Sequence, residues 1–436
     1  MGEVEVLIVG AGPAGIGAAA ETTRHGLQTV LVDSREQPGG QFYARPTGAA
    51  WAGLPDEVTE GLNLDYLEMR PASEVWAAFP DMTFGVAGPY GGELFRPRCV
   101  VLATGAFEAP IPFPGWDAAG VISAGAAQLM VKESLAVPSG RVVVAGSGPF
   151  LLVVASQLVQ AGAQVTAVIE AVHTLGHVRM LPALAMRPRR ATETLRYLLR
   201  LRGVNVERGR KVLAVESGCL ICDGKRHPFD VLCVGHGFKP RLELSRLLGC
   251  EETRLGVRVD HLQQTTISCV WAAGEVTGIG GVELSHSEGR VAGLAIADQM
   301  RGIPADSRRR LRTWVRRRRL AASFASTLRS VFARPEPLAA ATDATCICRC
   351  ESVTLGTMRR VAQVAPEGDI ARSLKALLRC GMGPCQGATC WDAIESFVGG
   401  IEGTPPRPRL PVGVVRVGTL AESDKPVVAL GEDGRK

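Results

Sequence analysis

The first fifteen residues constrain this chain more than any other stretch. The apolar run Val4-Glu5-Val6-Leu7-Ile8-Val9 leads directly into Gly10-Ala11-Gly12-Pro13-Ala14-Gly15. Residues 16–24 are small and helix-compatible, and a second apolar run, Thr29-Val30-Leu31-Val32, ends on Asp33. Strand, glycine turn, helix, strand and acid in this order make a βαβ unit that cradles a dinucleotide. Gly10 permits the turn, Gly12 lets the backbone approach a pyrophosphate, and Gly15 lets helix and strand pack closely. The helix N-terminus presents N–H groups and a positive dipole to phosphate. Asp33 is placed to accept hydrogen bonds from ribose hydroxyls. A lone Gly-x-Gly-x-x-Gly is weak evidence, but here the flanking elements stand at the right offsets.

Further glycine-rich junctions follow. Pro38-Gly39-Gly40-Gln41 is a second turn able to bring backbone and a polar side chain to the same ligand. Glu74-Val75-Trp76 and Thr83-Phe84-Gly85-Val86 alternate as strands of a small sheet. The strand Cys99-Val100-Val101-Leu102 ends on Ala103-Thr104-Gly105, and Val270-Trp271-Ala272-Ala273 ends on Gly274-Glu275. Between them, Arg141-Val142-Val143-Val144-Ala145-Gly146-Ser147-Gly148-Pro149 repeats the opening pattern, with Glu170 ending the next strand. Leu151 stands where the third glycine belongs and is expected to push helix and strand apart. Gly146, Gly148, Pro149 and Glu170 are therefore candidates for a second nucleotide, NAD(P) or ATP, in a domain that is otherwise purely structural. Cys219-Leu220-Ile221-Cys222 sits in an alternating strand, which sends residues three apart to opposite faces and argues against a redox disulfide.

A chain of 436 residues exceeds one core, so two or three domains are expected. The formal charge of +6 is local: eight arginines fall within 308–319, and the remainder of the chain sums to −2. Residues 307–332 read as one amphipathic helix carrying these arginines. An anionic membrane surface or nucleic acid could be met by such a helix, but a solvated helix bridging domains or facing an acidic partner subunit is favoured. A single aromatic residue, Trp314, falls within the arginine run, short of the interleaving that nucleic-acid binding uses. Residues 334–337 begin a linker. No uninterrupted apolar run reaches membrane-spanning length. The start carries Glu3 and Glu5 rather than a basic leader, so a cytoplasmic location, with peripheral contact at the inner membrane face as an option, is the expectation.

Six of the twelve cysteines lie between Cys346 and Cys390. In a reducing compartment such a cluster points to metal. Cys348 and Cys350, with Cys385 and Cys390, form two close pairs able to hold a [2Fe–2S] cluster, two thiolates per iron. Four thiolates also suit structural zinc, although zinc sites more often use Cys-x-x-Cys pairs. Cys346 and Cys380 are left over, and each could replace a neighbour.

These motifs, together with Leu102–Glu108, Pro112-Phe113-Pro114-Gly115-Trp116, Gly235-His236-Gly237-Phe238, Cys348-Arg349-Cys350-Glu351 and Gly381-Met382-Gly383-Pro384-Cys385-Gln386-Gly387, occur in one order. The chain resembles the FAD-containing α subunit of multi-subunit amino-acid dehydrogenases, the group of opine oxidase, hydrogen cyanide synthase, and proline and D-hydroxyproline dehydrogenases. Its last part is similar to the bacterioferritin-associated ferredoxin module; Ala388 departs from the arginine usual after Cys-Gln-Gly. The resemblance implies an α/β fold with two Rossmann-like domains of the disulfide-reductase type and a small helical [2Fe–2S] domain. The expected boundaries are 1–125 with 236–305 for FAD, 126–235 for the second nucleotide-like domain, 306–344 for the basic helix and linker, and 345–436 for the cluster domain and tail. It implies FAD contacts at Gly10, Gly12, Pro13, Ala14, Gly15, Asp33, Ser34, Gly40, Gln41, Val75, Ala103, Thr104, Gly105, Gly274 and Glu275. It also implies cluster ligands Cys348, Cys350, Cys385 and Cys390. The expected partners are an FAD-containing, amino-acid-oxidase-like β subunit that oxidises the substrate, a small ferredoxin-like third subunit, an interface FMN and a downstream electron acceptor. The rival is a self-sufficient NAD(P)H-dependent reductase loading FAD through Gly146. No residue of this chain stands out as a catalytic acid or base.

Overall fold

The computed structural model describes residues 2–89, 91–366, 370–399, 408, 410–413 and 415–422. Two compact units result, each discontinuous in sequence. The first draws on Met1–Ala106, Pro240–Ala325 and Arg407–Lys436, and the second on Phe107–Lys239 and Ser326–Pro406.

In the first unit the apolar runs form a parallel sheet in the order Leu67–Arg70, Thr29–Val32, Gly2–Val9, Gly91–Leu102, Val270–Ala272. The long strand Gly91–Leu102 continues antiparallel into Phe84–Gly88 and Glu74–Ala78. Alternation divides the buried side chains between faces. Val6, Ile8 and Val101 pack in one core cluster, Leu7, Val9, Val100 and Leu102 in the other. The register matters for the site. Val9 is level with Val32 and Leu102, and Leu102 with Ala272. Gly10, Asp33, Ala103 and Ala273 therefore leave the sheet together at its carboxyl edge, where open α/β sheets bind ligands.

The helices Pro13–Arg24 and Val282–Arg301 pack backbone to backbone on one face. A methyl added at Gly289 would lie 1.9 Å from the Ala14 carbonyl oxygen, and one at Gly293 2.5 Å from that of Ala18. The same seam holds a buried charge group. Glu21 is 0% exposed and receives Arg290 Nη1 at 3.0 Å and Arg310 Nη2 at 2.5 Å.

The second unit repeats the arrangement. Its parallel sheet runs Asn205–Arg208, Gln164–Glu170, Arg141–Gly146, Val231–Gly235, Val121–Ser123. Gly146 is level with Glu170 and Gly235. A three-stranded antiparallel sheet, Val212–Glu216, Cys219–Cys222 and Lys225–Pro228, follows. Because Val121–Ser123 pairs with Val231–Gly235, residues 107–125 belong to this unit rather than to the expected first domain 1–125. The cysteine-rich stretch also falls here instead of standing apart. It contains the hairpin Cys346–Cys348 with Val353–Thr354 and the helices Leu355–Val364, Ile370–Leu378 and Trp391–Phe397. Ile347, Leu355, Met358, Leu374 and Ile394 form its own small core. Trp116 Nε1 donates to the Cys346 carbonyl at 2.7 Å, and Lys239 and Arg334 both reach Asp392 at 2.9 Å.

The expected helix 307–332 is Ala305–Val331. Its arginines are not simply a solvated face. Besides Arg310 at Glu21, Arg317 lies over the Trp314 ring at 4.6 Å.

Candidate functional site

The carboxyl edge of the first sheet is shaped by glycines with no room for a side chain. At Gly10 φ is +105°, and a methyl there would meet the Ala103 carbonyl oxygen at 2.2 Å. At Gly15 it would meet the Gly10 carbonyl oxygen at 1.7 Å. Gly12 is different: its backbone is extended, with φ −72° and ψ −177°, and nothing lies within 4 Å of the missing Cβ. The open space at Gly12, one residue before the helix Pro13–Arg24 begins, has the form of the cradle that dinucleotide folds offer a pyrophosphate.

Asp33 closes this loop. Its carboxylate accepts from the backbone N–H of Ala11 at 2.5 Å and of Arg35 at 2.8 Å. Burial pushes its pKa above the ordinary carboxylate value, against the pull of those two N–H groups. Ser34 follows it, exposed. The second glycine turn docks on the first: Gly39 N–H donates to the Ala11 carbonyl at 2.7 Å, and a methyl at Gly40 would touch Gly12 Cα at 3.0 Å. That brings Gly40 and Gln41 to the loop. Ala103, Thr104 and Gly105 cross beside Gly10, where Ala103 N–H donates to Val9 and Thr104 Oγ1 donates to the Arg241 carbonyl at 2.9 Å. Val75 is buried in the cluster that also holds Val9 and Val32.

Gly274, with φ +85°, brings its backbone against the other end of the loop: a methyl there would lie 2.8 Å from Ala14 Cβ. Half-buried Glu275 accepts the Gly281 N–H, and burial raises its pKa. A residue not singled out from the sequence completes this corner. Glu288 is buried and accepts from Gly274 N–H at 2.8 Å and Thr277 Oγ1 at 3.1 Å. Burial pushes its pKa up to about 7. Arg241 likewise carries no local signal in the sequence; its N–H donates to the Gly105 carbonyl at 3.0 Å.

In the second unit, Glu170 is held as Asp33 is in the first. Its carboxylate accepts from Gly148 N–H at 3.1 Å and Val172 N–H at 3.0 Å, and burial raises its pKa to about 7. The expected separation by Leu151 is met differently. Leu151 is buried, and Gly235 makes room: a Cβ there would be 3.1 Å from Leu151 Cδ2. Gly148 has open space around its missing Cβ, and Pro149 caps the helix Phe150–Gln160. Among the buried oxygens that lack partners in the described residues, Ser147 Oγ lies within the turn and Glu108 Oε1 near Gly235. Orphaned polar atoms beside an open glycine turn fit a polar ligand such as a second nucleotide.

Residues 4–298 match the model of the pyridine nucleotide-disulphide oxidoreductases. The chain belongs to this family. Membership implies FAD binding, and the first glycine loop has the shape for it. Among curated relatives, an opine oxidase subunit of Agrobacterium tumefaciens is 32% identical, over 88% of this chain and 84% of the relative. Hydrogen cyanide synthase subunit HcnB of Pseudomonas aeruginosa is 33% identical, over 88% of this chain and 90% of the relative. Among solved structures, L-proline dehydrogenase from P. horikoshii superposes with TM-score 0.67 at 19% identity, covering 96% of this chain and 80% of that one. Thioredoxin reductase of T. acidophilum gives 0.51 at 18% identity, covering 68% and 98%. These last two show the shared fold.

The family match stops short of the cysteines. Cys348 and Cys390 are buried, Cys385 is half-buried and Cys350 is exposed. Cys350 neighbours Cys385, and Cys348 neighbours both Cys390 and Cys380. Among the described residues no three His, Cys, Asp or Glu side chains are arranged to hold a metal ion. The donor set is that of a thiolate cluster, and Cys350 lies within electrostatic reach of Cys348, as Cys390 does of Cys385. Arg349, between the first two cysteines, lies over the Trp116 ring at 5.1 Å, so two motifs distant in sequence meet.

Proposed function

We propose that this chain is the electron-transferring subunit of a hetero-oligomeric dehydrogenase acting on the CH–NH group of an amino acid of the proline, hydroxyproline, opine or glycine type. FAD occupies the Gly10–Gly15 loop, with Gly12 at the pyrophosphate and Asp33 and Glu275 toward the ribose and ribityl hydroxyls. When bound, FAD accepts two electrons and can release them singly. What supports a relay role is the use of the buried acids. Asp33, Glu275, Glu288 and Glu170 all accept backbone N–H groups. They hold glycine turns in place, a structural use rather than that of a general base. Substrate oxidation then belongs to another chain, in keeping with relatives named as subunits of oxidases. The partner is an FAD-containing, amino-acid-oxidase-like β subunit, with an interface FMN and a small ferredoxin-like protein as further members. Cys348, Cys350, Cys385 and Cys390 are the proposed [2Fe–2S] ligands.

A second reading draws on Ser147 Oγ and Glu108 Oε1, orphaned oxygens of the second unit: an NAD(P)H-dependent reductase. One purification separates the two. Isolation from the source with a flavin-bearing partner, flavin reduced by an amino acid and not by NADH, supports the relay reading. A chain isolated alone whose flavin is bleached by NADH overturns it.

A further inference from the structure

Between the strands Gln164–Glu170 and Asn205–Arg208 the second unit carries three helices, Thr174–Val178, Leu181–Ala185 and Pro188–Arg200. The last of these is half-buried on one side and exposed on the others. Arg190, Thr194, Tyr197 and Leu201, at helical spacing, turn inward, and Leu201 is buried. Ala191, Leu195, Leu198 and Leu199 form a second stripe that turns outward, its three leucines all exposed. Arg189, Arg196 and Arg200 form a third stripe beside it, also exposed. The two short helices extend the apolar surface. Leu175 is 78% exposed, Leu181 58% and Met186 83%. Residues 174–202 contain seven arginines and a single acid. That acid, Glu193, is already engaged by Arg190 at 3.0 Å and by the Tyr197 hydroxyl at 2.7 Å.

We propose that the face formed by Leu175, Leu181, Met186, Leu195 and Leu199, with Arg189, Arg196 and Arg200 along its edge, docks this chain on an anionic phospholipid bilayer. The charge is complementary to such a surface, since the arginine stripe meets no unengaged acid on its own segment. The apolar side chains are aliphatic and flexible. Protein interfaces concentrate their energy in Trp, Tyr and Arg anchors, and here the only aromatic residue of the helix, Tyr197, turns inward. An amphipathic helix with arginines flanking leucines is the arrangement that lies in a headgroup layer, leucines toward the acyl boundary and guanidinium groups at phosphate level. These residues are distinct from the arginine run 308–319.

The test uses the full chain as purified with its associated partners, and vesicles of phosphatidylcholine with and without phosphatidylglycerol. Co-sedimentation with the anionic vesicles alone, weakened by salt, is expected. Replacing Arg189, Arg196 and Arg200 by Gln should weaken it by about two orders of magnitude, roughly fivefold per arginine. Leu195→Glu with Leu199→Glu should abolish it, with flavin content unchanged. Trypsin cleavage after Arg196 and Arg200 should be blocked by anionic vesicles. Absence of binding, binding indifferent to these substitutions, or trypsin protection by an associated partner without vesicles would each overturn the proposal. The last outcome would make the face a protein interface.

Discussion

Gly12 and Gly15 belong to the same six-residue motif, yet the structure predicts opposite outcomes for the same substitution. Gly12→Ala places a methyl in open space, on a backbone any residue adopts. Replacing glycine at such a site stabilises by about 0.4–1 kcal/mol through the unfolded chain. At a helix N-cap, alanine is worse than glycine by several tenths or more. The two effects offset, and the flavin-free protein should keep its stability within about 0.5 kcal/mol. The methyl does occupy the cradle of the pyrophosphate, so the complex is overpacked by about 1–3 kcal/mol, which is roughly 5- to 150-fold in Kd. Gly15→Ala instead drives the methyl to 1.7 Å from the Gly10 carbonyl oxygen and 2.9 Å from its carbon. Both obstacles are backbone, so the cost falls at the upper end of the overpacking range, about 3 kcal/mol, with no ligand present. The assay is thermal unfolding of the deflavinated variants, alongside FAD titration by fluorescence quenching. Gly12→Ala binding FAD within threefold of wild type would refute the assignment of Gly12 to the pyrophosphate. Gly15→Ala with wild-type unfolding would refute the packing argument.

Glu288 sets a pH dependence. Its pKa in the folded protein is about 7 against an ordinary 4.5. A raised pKa favours the protonated fold, so this contribution is fully present below about pH 4.5 and is lost as pH rises through 7, by about 3 kcal/mol. Stability of the flavin-free protein, read by denaturation between pH 5 and 8, should decline less steeply in Glu288→Gln than in wild type, the remainder belonging to Glu170 and the other buried acids. Glu21→Gln leaves the buried Arg290 and the half-buried Arg310 without their carboxylate and should cost about 3–5 kcal/mol, read by urea denaturation. For the cysteines, Cys348→Ser should lower bound iron and the visible absorbance beyond the flavin bands, whereas Cys346→Ser should retain both; equal loss in the two variants would reassign the ligands.

The glycine loops and the strands feeding them were legible in the sequence because their signals are local, a glycine at a fixed offset and an apolar run. The repeat at Gly146 was legible for the same reason. Long-range signals were harder. Glu288 reads as an ordinary helix glutamate, and only the packing of Val282–Arg301 against Pro13–Arg24 places its carboxylate at Gly274. The spacing Gly289-x-x-x-Gly293 was the available hint of that close approach. The arginine run reads as charge, but depth is decided by what faces it; Glu21, a lone acid in a helix of small residues, was the sign that one arginine goes inward. Residues 107–125 looked like a continuation of the first domain because pairing of Val121–Ser123 with Val231–Gly235 joins strands more than a hundred residues apart.

The seam between Pro13–Arg24 and Val282–Arg301 also sets an order of events during synthesis. The first sheet has four of its five parallel strands by Leu102, but the helix that covers Val6, Ile8 and Val101 is complete only at Arg301. At about 5–20 residues per second on the ribosome, that interval lasts roughly 10–40 s. Throughout it, the nascent chain holds a finished nucleotide fingerprint on an apolar face covered by Pro13–Arg24 alone. A fragment ending anywhere before Val282 carries every residue of the Gly10–Gly15 motif and is still expected to need a chaperone rather than a cofactor.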